Sequence, residues 1–352
     1  MPHAYIARPH SVLGEHVVTI QELIDDITVR HADHPRMGVI KRVLAKSPAA
    51  RRFSQPLDVV LADRTVEERN TTAIADVLAM TTAACEAALK ATGTAPDDVD
   101  CIITTSSTTD WVPGLDIHLQ DALGLPATVS RWPMTQLGCG GGAHALVMAA
   151  TYVRAHPGTR VLVAGGESLS SMYHHGDDRI EHMIYKALWG DSGIATVVSD
   201  SPLGPGLAVG ETWEYVIPGT KTRYRKRVDE LGIHFDSEKS ATDSVRDMAP
   251  ELRKWLAGGA AGPWPLEFVV AHTGGVSILD DLALELDVPA EWLRNSWASL
   301  DEEGNLGGPS VLRVLERTHA DPPEAGQRGL LIGFGPGFSV SALKTAWHDG
   351  TA

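Results

Sequence analysis

Short, nearly continuous apolar runs alternate along this chain with longer stretches in which apolar residues recur every three or four positions. The helical series opens over residues 20 to 46, where Ile20, Leu23, Ile24 and Ile27 share one face. A second helix is predicted over NTTAIADVLAMTTAACEAALKATG, with Gly93 as its stop. DVDCIITTSS, TRVLVAGGES and SGIATVVSD follow turn residues and read as buried strands. SPLGPG, residues 201–206, punctuates the chain and divides it into halves 1–203 and 204–352. Beyond it, EFVVAHTGG, RGLLIGFGPG and SVSALKTAW give three further strands. Strands alternating with helices predict a layered α/β fold.

The halves repeat one another. CIITTSS leads through a loop to Gly138-Cys139-Gly140-Gly141-Gly142, an apolar helix and the strand VLVAGGE. FVVAHTGG leads to Gly304-Asn305-Leu306-Gly307-Gly308, another apolar helix and LLIGFGP. The offsets agree: Cys101 to Gly138 is 37 residues and Phe268 to Gly304 is 36. This predicts an internal duplication about a pseudo-twofold axis. Cys139 and Asn305 then stand at equivalent helix starts facing a shared centre, with His272 at a strand end facing it too.

Composition narrows the function classes. The 352 residues carry 30 Lys+Arg against 45 Asp+Glu, a net charge of −15, so a nucleic-acid partner is not expected. Three cysteines are too few for a disulfide framework and suit a reducing compartment. Cys85 and Cys101 lie in apolar runs and read as packed thiols. The N-terminus lacks the apolar core of a signal peptide, and no apolar run approaches the roughly 20 residues of a membrane span. A cytoplasmic protein without membrane contact is expected.

Cys139 precedes a buried helix whose free N–H groups hold an oxyanion and whose partial positive charge favours thiolate. The flanking glycines let a substrate carbonyl approach. A lone cysteine is more often packing, but this setting is that of an acyl-transfer nucleophile. His272 ends its strand where α/β folds put their sites, fit to pair with the thiolate or donate to an enolate. Asn305, alone a turn residue, gains a donor role from its equivalence to Cys139. Tyr173-His174-His175-Gly176-Asp177-Asp178 with Glu181-His182 matches no zinc ligand spacing, so it reads as a solvated polar loop and no metal is expected. KRVLAKSPAARR, residues 41–52, is either a solvated helix face or a cradle for an anionic substrate. No dinucleotide fingerprint is present, since GFGPG carries proline and leads into a strand.

Five motifs in order resemble the type III polyketide synthases, the chalcone-synthase-like branch of the thiolase fold. QLGCGGG is similar to that family's nucleophile loop and AHTGG to its His-Pro-Gly-Gly segment. GNLGG is similar to its Gly-Asn-Met-Ser segment, ALWGDSG to its Ala-Leu-Phe-Gly-Asp-Gly segment and GFGPG to its C-terminal glycine loop. The resemblance implies a thiolase-like αβαβα fold from two pseudo-twofold halves, the first carrying the cysteine and the second the histidine and asparagine. It implies that Cys139 takes a starter acyl group from coenzyme A. His272 and Asn305 would hold malonyl-CoA and its enolate for decarboxylative Claisen condensation, and a small pyrone or phenol would form by cyclisation. No cofactor is implied beyond acyl-CoA and malonyl-CoA as substrates, and a homodimer is expected. Arg42 and Lys46 match coenzyme-A-binding positions, while a third basic position falls on Val39.

The departures concern product. One gatekeeper Phe is Trp189 here, the other matches Phe235, and cavity positions fall on Ser107, Leu169, Met172 and Gly307. The Met that crosses the dimer interface in plant enzymes falls on Val112, and Gly140 replaces a larger residue. The chain looks closer to bacterial pyrone- and resorcinol-forming synthases. A β-ketoacyl-ACP synthase III-like enzyme shares the Cys-His-Asn set but wants a basic docking surface, and a catalytically silent thiolase-fold binding protein would not need all three residues. Starter, extender, condensation number and ring closure are left to cavity shape.

Overall fold

The computed structural model describes residues 4–258 and 262–350. Each buried strand sends alternate residues to opposite faces, and the two faces meet different helices. Ile103, Val161 and Val163 of one half and Val270 and Leu331 of the other share a central core with the helices Gly141–Ala155 and Ser310–Thr318. Their neighbours Ile102, Leu162 and Ala164 face the helices Val66–Ala91 and Leu115–Leu123. Val269, Leu330 and Ile332 face Ser244–Ala257, Val276–Leu286 and Arg294–Glu303. Helix, strand, helix, strand, helix is therefore the order of layers, the αβαβα arrangement expected.

The duplication is visible in the pairing. Cys101–Ser106 lies parallel to Arg160–Glu167, which is antiparallel to Ser192–Ser199. Phe268–Ala271 lies parallel to Arg328–Gly335, which is antiparallel to Ser339–His348. The strands Ala4–Ala7 and Gly206–Val216 join these wings into one ten-stranded sheet. The central core thus draws on both halves, and neither half can bury its inner face alone.

Several expectations need correction. The helix expected over residues 20–46 is two helices, Ile20–Arg30 and Met37–Leu44, because HADHPR places a proline between them. The first starts on a capping box of Thr19 and Glu22. The helix Val66–Ala91 is long and apolar enough to cross a membrane by length and composition, contrary to the sequence expectation. Here it lies against the strands Arg160–Glu167 and Ser192–Ser199, its Val77, Ala84 and Cys85 inside the core. The hairpin Tyr224–Asp229/Gly232–Ser237 was not foreseen, since YRKRVD is mostly exposed and exists as a strand only through its partner. The segment around His174 is not solvated: Tyr173, His174 and His182 are buried, and His234 of the hairpin closes over them.

Candidate active site

Three turns from distant parts of the chain meet above the central helices. The short turn Gly138–Gly140 carries Cys139 into the helix Gly141–Ala155. Gly138 has φ +51°, a left-handed conformation that glycine adopts without strain. His272 follows the strand Phe268–Ala271, its N–H donating to the Ile332 carbonyl at 3.0 Å. Asn305 sits between the helices Arg294–Glu303 and Ser310–Thr318. The turns touch through bare backbone: a Cβ on Gly142 would run into the Gly308 carbonyl, and one on Gly140 would lie 3.1 Å from Gly335 Cα.

Asn305 is oriented on both sides. Its Oδ1 accepts from the Gly307 N–H at 2.8 Å and the Ser310 hydroxyl at 3.3 Å. Its amide nitrogen lies 3.9 Å from the Cys139 sulfur and 3.4 Å from the Gly274 carbonyl, and the thiol lies 4.0 Å from Oδ1. Gly274 is two residues past His272, whose buried Nδ1 has no protein partner. Its backbone is also paired with the Trp189 segment: the Asn305 N–H donates to Leu188 and the Asn305 carbonyl accepts from Gly190.

Cys139, His272 and Asn305 line one cavity of about 740 Å³, together with Ser107, Leu169, Met172, Trp189, Phe235 and Gly307. Trp189 stacks on Tyr185 with centroids 5.1 Å apart and meets Phe235 edge-on at 5.7 Å. Arg42 and Lys46 do not line it. Both are exposed, Arg42 on the helix Met37–Leu44 and Lys46 just past its end, and this helix packs against Ile180–Lys186.

The electrostatics differ from the expectation of a resting thiolate. Burial pushes the Cys139 thiol up to about 12, the nearby Glu167 charge adds to this, and the Asn305 amide opposes it. Burial also pushes His272 down to about 3. Both shifts favour the uncharged forms, against the pull of the helix terminus on the thiol.

The sequence reading missed Glu167, wholly buried at the end of the strand Arg160–Glu167. Its carboxylate accepts from the Ser107 N–H at 3.0 Å and hydroxyl at 2.8 Å, and from the Thr108 N–H at 3.0 Å and hydroxyl at 2.9 Å. Burial raises its pKa. A charged residue closing an apolar strand, in VLVAGGE, was the available signal. Tyr185, Tyr224 and Phe338 also line the cavity, with no sequence pattern to announce them.

Comparison with known proteins agrees over nearly the whole chain. Residues 16–202 match the family model for the N-terminal domain of chalcone and stilbene synthases, and residues 209–345 match that for the C-terminal domain. A phloroglucinol synthase of Pseudomonas fluorescens is 30% identical, covering 96% of this chain and 98% of that protein. A 1,3,6,8-tetrahydroxynaphthalene synthase of Streptomyces coelicolor is 31% identical, covering 98% and 92%. The solved structure of germicidin synthase from Streptomyces coelicolor, described as a type III polyketide synthase, superposes with TM-score 0.92 at 28% identity, covering 99% of this chain and 100% of that one.

Proposed function

The chain belongs to the chalcone and stilbene synthase family and is a type III polyketide synthase, and on that premise we propose which of its atoms carry the condensation. Cys139 Sγ attacks the carbonyl of an acyl-CoA starter while its proton passes to His272, so that neither charge is buried alone. The C–S bond to coenzyme A breaks, the acyl group stays on sulfur, and His272 returns the proton to the departing thiolate. A malonyl-CoA extender then loses CO₂: the bond to its carboxylate breaks and the electron pair becomes an enolate. The enolate oxygen receives hydrogen bonds from His272 and the Asn305 amide. Its carbon attacks the Cys139 thioester and expels the sulfur, leaving on coenzyme A a chain two carbons longer. Repetition and ring closure give a small phenol or pyrone. Loss of CO₂ drives each condensation, and none of these steps needs a metal or redox cofactor for its balance.

The observation that carries this reading is the Asn305 amide, fixed by the Gly307 N–H and set within 4.0 Å of the Cys139 sulfur in the shared cavity. Trp189, Phe235, Ser107, Leu169, Met172 and Gly307 would shape the chain that fits, and Arg42 and Lys46 would meet the coenzyme phosphates. The halves 1–203 and 204–352 would be the units carrying nucleophile and donors. A cytoplasmic homodimer is the assembly we propose. Val112, 97% exposed at the rim of the cavity, supports a covering second subunit.

The test is to incubate the protein with malonyl-CoA and a panel of acyl-CoA starters. CO₂, free coenzyme A and new products are expected, with an acyl mass increment that Cys139→Ala abolishes. Acylation at Cys85 or Cys101, or no decarboxylation with any starter, would overturn the assignment.

A further inference from the structure

Behind the cavity wall three imidazoles converge. His174 lies past the turn Leu169–Met172, His182 on the helix Ile180–Lys186 and His234 on the strand Gly232–Ser237. All three are at most 3% exposed. One ring nitrogen from each lies within 4.8 Å of the others. Among the described residues both nitrogens of His182 lack a hydrogen-bond partner, although buried polar groups normally find one, and His174 has only the Ile233 backbone. Hydrogen bonding within the protein therefore leaves His182 unaccounted for.

His234 completes the pattern differently. Its Nδ1 lies 2.8 Å from Asp177 Oδ2 and its Nε2 2.8 Å from Asp229 Oδ1. Whichever nitrogen binds an ion, the other keeps a carboxylate, the arrangement that fixes metal-bound imidazoles. The carboxylate on the binding side then takes the place of a fourth ligand. Three imidazoles with one carboxylate suit zinc and similar divalent transition metals. Bond lengths near 2 Å put neighbouring nitrogens about 3.4 Å apart in a tetrahedral site, so the rings need close by no more than roughly 1.5 Å. Lys186 and Arg69 oppose a cation at the cluster, Asp177 favours one, and Asp229, itself paired with Arg227, lies beside His234. Arg179 and Arg227 are already paired with Asp177 and Asp236.

We propose that His174, His182 and His234 bind a divalent transition metal, zinc by preference, which fastens the hairpin 224–237 to the cavity wall. Each ligand stands beside a lining residue: His174 two positions after Met172, His182 three before Tyr185, His234 one before Phe235. The ion is structural, and the condensation needs nothing from it.

The test uses the untagged full chain stripped of metal, with Co²⁺ or Zn²⁺ as the only added ligand and no substrate, so its outcome is independent of polyketide formation. One Co²⁺ per chain is expected, with the intense visible absorption of a tetrahedral site that one equivalent of Zn²⁺ removes. His174→Gln and His182→Gln should each weaken zinc binding by at least about tenfold. Zinc should raise the melting temperature of the parent but not of the double variant. X-ray absorption of the zinc-loaded parent should show imidazole scattering, a readout that does not depend on any variant folding. No uptake of either ion, an oxygen-only shell, or full affinity in the double variant would overturn the site.

Discussion

Burial and the Glu167 charge raise the Cys139 thiol, in spite of the helix terminus beneath it. Activation would then come from a partner that accepts the proton as the sulfur attacks, the role we propose for His272 in the same cavity. Replacing it should raise the pH at which Cys139 is alkylated and slow acylation. A pH profile of iodoacetamide labelling on His272→Gln and parent protein reads this directly, and an unchanged profile would remove His272 from that role. Trp189 makes the second residue-scale prediction. Its ring is 5% exposed between Tyr185 and Phe235, so Trp189→Ala should enlarge the cavity and move the product spectrum toward longer chains or bulkier starters. Mass spectrometry of products would show it. That Cys139, His272, Asn305 and Trp189 share one cavity was legible because each sits in a short glycine-rich motif. Glu167 and Tyr185 were not, because what places them on the cavity is tertiary packing around ordinary strand and helix positions.

Among the elements, contact between turns matters more than any single strand. Gly142 and Gly308 bring two helix starts together where a side chain has no room. Gly142→Ala should cost at least about 1–3 kcal/mol, as overpacking does, and should push Asn305 away from Cys139. Gly38→Ala is the control: the site is helical with nothing within 4 Å, so the same substitution should stabilise by about 0.4–1 kcal/mol. Melting temperatures of both variants, with condensation rates, separate the two effects. At this scale the sequence was readable where a pattern was strong. Buried strands such as Cys101–Ser106 stood out as apolar runs. The hairpin Tyr224–Asp229/Gly232–Ser237 did not, since its order comes from cross-strand pairs such as Lys226 with Phe235. His234, hidden in that hairpin, therefore could not be joined to His174 and His182 by spacing alone.

For the whole molecule, buried neutral histidines set the response to acid. Burial lowers His272 to about 3 and His319 to about 4, the latter helped by Arg8, His10 and His348. Unfolded imidazoles take a proton near 6.5. Between those values the unfolded chain binds more protons, so this stability is whole above about pH 6.5 and is lost as pH falls toward 4. Each such histidine contributes a slope of about 1.4 kcal/mol per pH unit inside its window. Melting temperature should fall steadily from pH 7 to 4.5, and less steeply in His319→Gln. An equal slope in that variant would assign the acid sensitivity elsewhere. The duplicated architecture was legible because two halves repeat one order of motifs. Their joining into one sheet through Ala4–Ala7 and Gly206–Val216 was not, since no strand was read at either position, although each opens its half and lies antiparallel to that half's last strand.

The backbone ladder between Leu188–Gly190 and Asn305 has a further consequence. The Trp189 wall, which we propose selects the growing chain, and the amide beside the sulfur hang from one pair of hydrogen-bonded segments. Selectivity can therefore drift freely by exchanging side chains at 189, but an insertion or deletion there would carry the amide with it. Lineages descended from such a scaffold should diversify their products by point replacement while the loop lengths around 188–190 and 304–308 stay frozen.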